Sequence, residues 1–207
     1  MRTLIVVPMK DPADAKTRLD GSLTARKRAR LAQLMFRRTL RLLSPIAAKM
    51  GAELATVTQS DCIKAEAAEV GVTAIQDADE GSLNAAAHKA HDWARTAGFA
   101  RMCLIPADLA VPDAGDIETV LATAADVVIC PSGDNGTNAL ALPTDVPFAF
   151  QYGPRSCALH CAAARALDLS VQVLPLTSLS FDIDRSEDLS RALRIVPDLA
   201  HAMEARP

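Results

Sequence analysis

The sequence predicts an α/β fold with a mostly parallel sheet and helices on both faces. Short apolar runs rich in β-branched residues alternate with longer stretches of helical periodicity. The first such run, Leu4-Ile5-Val6-Val7, does not alternate with polar residues and stops at Pro8, as a strand covered on both faces would. No internal repeat, low-complexity tract or long linker breaks the rhythm, so residues 1–207 read as a single domain.

After that first strand, a helical period runs from Thr24 to Leu43 through Leu31, Leu34, Met35, Leu42 and Leu43. Arg26, Lys27, Arg28, Arg30, Arg37, Arg38 and Arg41 fall between them and read as its solvated face. Leu54–Thr58 is a strand, Asp61–Val70 a helix stopped by Gly71, and Val72–Ile75 a further strand. Leu83–Ala97 is an Ala-rich helix ending at Gly98, and Met102–Ile105 a strand stopped by Pro106. A helix over Asp113–Ala124 leads to the strand Val127–Cys130, and Asn138–Leu142 is another strand. Ser156–Leu167 is helical, Val171–Leu174 a strand and Glu187–Ile195 a helix. Residues 132–153 carry several Gly, Pro, Asn and Asp residues, and are expected to form a lid or β-insert over the site.

Half of the residues are apolar and 23% are charged, enough for a sizeable core. Aromatic residues are only 3% and the net charge is -3. Base-stacking platforms and a global basic field are therefore both lacking, which argues against nucleic acid as a partner. The N-terminal apolar run is too short for a membrane span and unlike a signal peptide, so the cytoplasm is the expected location. The five cysteines are scattered and expected to be reduced, with Cys103 and Cys130 as small buried hydrophobes.

Functional residues gather where strands end. In open α/β sheets, ligands bind beyond the carboxyl ends of the strands. Lys10, Lys16 and Arg18 follow the first strand and suit a polyanion such as a nucleoside triphosphate. Asp108 follows Met102–Ile105 through Pro106 and Ala107. Asp182 and Asp184 lie two apart, on the same side of an extended segment. Three carboxylates there suit a hard cation such as Mg²⁺, which takes one or two carboxylates plus substrate phosphates. Two common phosphate-binding loops, G-x-G-x-x-G and G-x-x-x-x-G-K-[ST], are absent. His88 with His91, and His160 between Cys157 and Cys161, do not match closed zinc spacing.

Six pieces, in order, resemble one family: VPMK…AKTRL (7–19), GSLNAA (81–86), PADL (106–109), GTNAL (136–140), F-x-YG-x-x-S-x-x-x-H (150–160) and DIDRSEDL (182–189). The chain resembles the guanylyltransferases that activate a small phosphorylated carboxylic acid for the deazaflavin coenzyme F(420). The resemblance implies a Rossmann-like, single-domain nucleotidyltransferase fold, with GTP and Mg²⁺ as ligands. It implies that Lys10, Lys16 and Arg18 hold the triphosphate, and that Gly81 and Asn84 lie against base or ribose. Asp108, Asp182 and Asp184 would bind metal. Thr137, Gly153 and Ser156 would contact the phosphorylated acid, at a helix N-terminus whose free N–H groups favour an anion. A homodimer is compatible with it.

The chain departs from the family at three places. Asp79-Glu80 precede Gly81-Ser82 where a Gly-rich run is common, Arg155 stands where Gly is common, and Arg185-Ser186 replace a more usual Thr-Pro. Arg155 suggests an acceptor with an extra or displaced carboxylate or phosphate, which adds 3-phosphoglycerate to phospholactate and phosphoenolpyruvate. Two other readings stay open. One is a nucleotidyltransferase for a molybdopterin or sugar phosphate, although Met9-Lys10-Asp11 stand where its G-x-G-x-R loop would be. The other is a non-catalytic nucleotide-binding module, which would not need the three aspartates.

Overall fold

The computed structural model describes residues 2–77, 82–197 and 199–200. Its centre is β1 (Thr3–Pro8), whose Leu4 to Val7 are at most 1% exposed. Alternation sends Ile5 and Val7 into one core and Leu4 and Val6 into the other, which is why the run is apolar throughout. Around it lie β2 (Ala52–Thr58), β3 (Thr73–Gln76), β4 (Arg101–Leu104), β5 (Val127–Pro131), β6 (Thr137–Pro143) and β7 (Val171–Val173). They form one seven-stranded sheet in the order β3-β2-β1-β4-β6-β5-β7. Only β6 runs against its neighbours, being antiparallel to both β4 and β5.

The helices are α1 (Ala25–Met50), α2 (Asp61–Glu69), α3 (Leu83–Thr96), α4 (Ala114–Ala122), α5 (Ser156–Arg165) and α6 (Ser186–Ile195). Residues of α1, α2 and α4 share a core with Ile5 and Val7. Those of α3 and α5 share the opposite core with Leu4 and Val6. A third cluster joins Leu31 and Met35 of α1 to Leu189 and Ala192 of α6, through Leu19, Phe181 and Ile183. The predicted α/β class with helices on both faces is thus the observed one. Among the described residues, no helix is long and apolar enough to cross a membrane.

Helix α1 runs seven residues past its expected end at Leu43 and passes through Pro45. Proline removes one helical hydrogen bond. Ile46 and Ala47 are nonetheless buried beyond it, and Gly51, in the left-handed region at φ 63°, closes the helix. Burial of the next apolar turn outweighs the proline. The expected solvated face of α1 also needs correction at Arg28. Its side chain is buried, ion-paired with Asp20 and bonded to the Leu23 carbonyl at 3.2 Å. A long side chain can bury its stem while its charge finds a partner in the loop.

Residues 132–153 hold a turn, then β6 inside the sheet, then a segment whose Phe148 and Phe150 are buried. The chain leaves β1 to build β2 and β3 on one side, then crosses back to place β4 on the other. Sheet order therefore reverses between β1 and β4, and a crevice opens beyond their carboxyl ends.

Candidate active site

The loop after β1 is tied down from both ends. Asp11 caps a 3₁₀ turn at Pro12–Asp14 by accepting the Ala13 N–H at 2.9 Å, and it accepts the Ser60 hydroxyl at 2.6 Å. Ala15 and Leu19 are buried. Between them Lys16 adopts a left-handed backbone, φ 56° and ψ 34°, uncommon for a residue with a Cβ. The bend turns its side chain inward, where it is 8% exposed.

Lys16 Nζ lies 2.5 Å from Asp108 Oδ2 and 3.3 Å from Asp184 Oδ1. Arg18 Nη1 lies 2.7 Å from Asp184 Oδ2. Burial alone would lower the lysine pKa, but the two carboxylates outweigh it and hold the ammonium above the ordinary range. The late aspartates are brought here by backbone pairing. Ile183 N–H donates to the Asp108 carbonyl at 3.1 Å, Ala110 N–H to the Phe181 carbonyl at 2.9 Å, and Leu109 bridges Asp182. Asp182 is pushed up to about 6, by burial first and then by Asp108, although Asn138 Nδ2 donates to it at 3.3 Å.

A cleft of about 820 Å³ opens over this cluster. That volume suits a small-molecule site, for which roughly 300–1,000 Å³ is usual. Lys10, Lys16, Arg18, Asp108 and Asp184 all line it, beside the apolar Met9, Val57 and Leu83. Gly81 falls outside the described residues. Asn84 has a different partner from the expected base or ribose. Its Oδ1 accepts the Tyr152 N–H at 2.6 Å and its Nδ2 donates to the Tyr152 carbonyl at 3.4 Å. It clasps α3 to the loop before α5.

Thr137, Gly153, Arg155 and Ser156 gather around the start of α5 and are not among the residues lining the cleft. Thr137 and Ser156 are buried, with Ser156 Oγ 3.1 Å from Thr137 Oγ1, while Gly153 and Arg155 are exposed. Arg155 is also left-handed, at φ 59°. Two N–H groups at this helix start are already committed, contrary to the expectation of free donors. Ser156 N–H donates to the Gly153 carbonyl and Cys157 N–H to that of Asn135. The turn holding Asn135 also carries Asp134. Its carboxyl is held below the usual range by the Ser132 hydroxyl and the Gly136 N–H, with Arg18 adding a smaller pull.

The residues present fit the Mg²⁺ that the resemblance implies. All three side chains offer only oxygen, and a cation would offset the burial, and the smaller repulsion from Asp108 and Asp184, that raise Asp182. Among the described residues, no group of three or more His, Cys, Asp or Glu side chains is placed so that it could hold a metal ion by itself. Mg²⁺ needs no such cage when substrate phosphates complete its shell. Two histidines are held inside the fold: His91 Nε2 is bonded to the Pro143 carbonyl at 3.0 Å, and His160 is fully buried.

Sequence reasoning missed Asn138 as a partner of Asp182, and Asp134 as a neighbour of Arg18. A signal for the first was present. Thr137-Asn138 open a strand that is otherwise entirely apolar, and buried polar groups need partners.

Comparisons with known proteins give the family and the fold. Residues 3–196 match the family model described as guanylyl transferase CofC like. The chain is 37% identical to a 3-phospho-D-glycerate guanylyltransferase of Colwellia psychrerythraea, over 91% of this chain and 90% of that one. It is 31% identical to a phosphoenolpyruvate guanylyltransferase of Rubrobacter xylanophilus, over 92% and 93%. A solved nucleotidyl transferase from Methanothermobacter shares the fold with a TM-score of 0.62, at 12% identity over 97% of this chain and 98% of that one. The cleft at the β1–β4 reversal, the motifs around it and these matches lead to one conclusion: the chain belongs to the CofC-like guanylyl transferase family.

Proposed function

We propose that this protein transfers GMP from GTP to a small phosphorylated carboxylic acid and releases pyrophosphate, in the cytoplasmic synthesis of a deazaflavin coenzyme. One observation carries the reading. A buried lysine and an exposed arginine are interleaved with carboxylates on the floor of a cleft at the sheet's switch point, within a family of guanylyl transferases. Two polyanions can meet only where positive charge is supplied. Lys16 and Arg18 are already paired with Asp108 and Asp184, so a divalent cation on those carboxylates would free them for the triphosphate.

The chemistry asks little else of the protein. A phosphate oxygen of the acid forms a bond to the α-phosphorus of GTP, and the bond from that phosphorus to the pyrophosphate oxygen breaks. A phosphomonoester's second pKa is about 6, so the nucleophile is already ionised near neutrality and needs no general base. Lys10, Lys16 and Arg18 hold the triphosphate in line and offset its charge. Asp108, Asp182 and Asp184 would hold Mg²⁺, which supplies charge stabilisation to the attacking and leaving oxygens. The acid sits toward Thr137, Gly153, Arg155 and Ser156. Among the candidates, 3-phosphoglycerate is supported by the name of the Colwellia relative, with phosphoenolpyruvate and 2-phospho-L-lactate as the others.

The test is direct. Purified protein with Mg²⁺ and GTP is given each of the three acids in turn, and pyrophosphate is followed. Release only when an acid is present is expected. Equal turnover of ATP, or of glucose 1-phosphate in place of the acid, would instead indicate a different nucleotidyltransferase.

A further inference from the structure

His160 is 0% exposed, and its role follows from counting hydrogens. The Gln151 backbone N–H points at its Nε2, 3.0 Å away. A backbone N–H only donates, so Nε2 accepts and carries no proton. The ring is neutral, since burial pushes its pKa down to about 4. Its one proton is therefore on Nδ1, and Nδ1 lies 3.0 Å from Thr137 Oγ1. Thr137 receives that proton as a hydrogen bond. Ser156 Oγ lies 3.1 Å from the same oxygen. Two hydroxyls joined by a single mutual bond leave one hydroxyl hydrogen over. With Ser156 donating, as the geometry has it, the remaining hydrogen is that of Thr137.

This changes what the acceptor loop can recognise. Two N–H groups at the start of α5 are already taken by the Gly153 and Asn135 carbonyls. The hydroxyl pair adds a donor where those two N–H groups offer none. A donor whose acceptor capacity is already used favours a partner with lone pairs and no hydrogen of its own. The ring is kept in place by Tyr152, edge-on at 4.8 Å, and by Phe148 at 5.9 Å.

We propose that His160 is a positioning residue that fixes the Thr137–Ser156 pair as a hydrogen donor and so selects a carboxylate or ionised phosphate at the acceptor loop. The inference rests on the reading of a phosphorylated acid as the second substrate.

Two measurements test it. The first is the tautomer of His160 in the wild-type protein without substrates, by ¹⁵N NMR of histidine-labelled chain. A neutral ring protonated at Nδ1 is expected, and an Nε2–H tautomer would overturn the proposal whatever the protein's activity. The second is steady-state kinetics of Thr137→Val, His160→Phe and the double variant. Each single change should raise KM for the acid about 10- to 150-fold, the loss of one hydrogen bond to a charged group. KM for GTP and kcat should stay within threefold. The double variant should be no worse than Thr137→Val alone, because His160 acts through Thr137. Losses that multiply, or an equal rise in KM for GTP, would show a merely structural histidine. If His160→Phe does not fold, the tautomer and the KM split of Thr137→Val decide. Wild-type protein that turns over none of the three acids would sink the proposed reaction, while the tautomer would still report on the hydroxyl pair.

Discussion

Lys16 and Asp108 form a direct ion pair on the floor of the cleft, 2.5 Å from Nζ to Oδ2, with the lysine side chain 8% exposed. The ammonium also reaches Asp184, so one cation answers two carboxylates. Lys16→Ala should weaken GTP handling by about 10- to 150-fold, the range for one charge-assisted contact. KM for the acid should move only a few-fold. Loss confined to acceptor affinity would assign the basic loop to the other substrate.

The carboxylates make a separate prediction. Asp108→Ala, and the pair Asp182→Ala with Asp184→Ala, should each abolish pyrophosphate release at any Mg²⁺ concentration while the chain still melts cooperatively. Near-normal turnover in any of these proteins would remove the metal assignment.

Asp182 also predicts a pH dependence. Its folded pKa of about 6 is above the usual carboxylate value, so the folded state holds this proton more tightly than the unfolded chain. Stability from this group is therefore full at low pH and is lost as pH rises between about 4 and 6. Asp182→Asn keeps an oxygen for Asn138 and removes the charge. Without Mg²⁺, it should melt several degrees above wild type at pH 7.5 and alongside it at pH 4. Equal melting temperatures at pH 7.5 would mean that the carboxylate is not crowded.

Arg155 combines strain with chemistry. A left-handed backbone at φ 59° costs a residue with a Cβ roughly 1–2 kcal/mol, and glycine avoids that cost. Arg155→Gly should therefore leave the melting temperature no lower than wild type. It should also change the order of preference among phosphoenolpyruvate, phospholactate and 3-phosphoglycerate, because the guanidinium can grip a carboxylate with two bonds. KM for GTP should stay within a few-fold. Competition assays that give the same order with both proteins would place Arg155 in solvent.

Much of the fold was legible because strand ends are marked chemically. Pro8 and Pro106 stop β1 and the run after β4, and both lead straight into site residues. Lys10, Lys16 and Arg18 and the aspartates could be read as a group for the same reason. Long-range choices were harder to read. The sequence of β6 is as apolar as that of a parallel strand, so nothing local says that it runs backwards between β4 and β5. The apolar period of α1 was read only to Leu43, whereas burial of Ile46 and Ala47 carries the helix on through Pro45. The resemblance put Asn84 against base or ribose, and its contact with Tyr152, 68 residues away, could not be read from the local sequence.

The bond between Lys16 and Asp184 spans 168 residues. Synthesis must pass all seven strands before the charged floor of the cleft can close, because Asp184 arrives after β7 and just ahead of α6. A ribosome-bound chain that already displays β1 to β7 would still lack one side of the floor. Such an intermediate could enclose its cores without holding GTP in a competent pose. Chains cut short of Asp184 should therefore keep their packed cores and lose the ion pairs that Lys16 and Arg18 make with it.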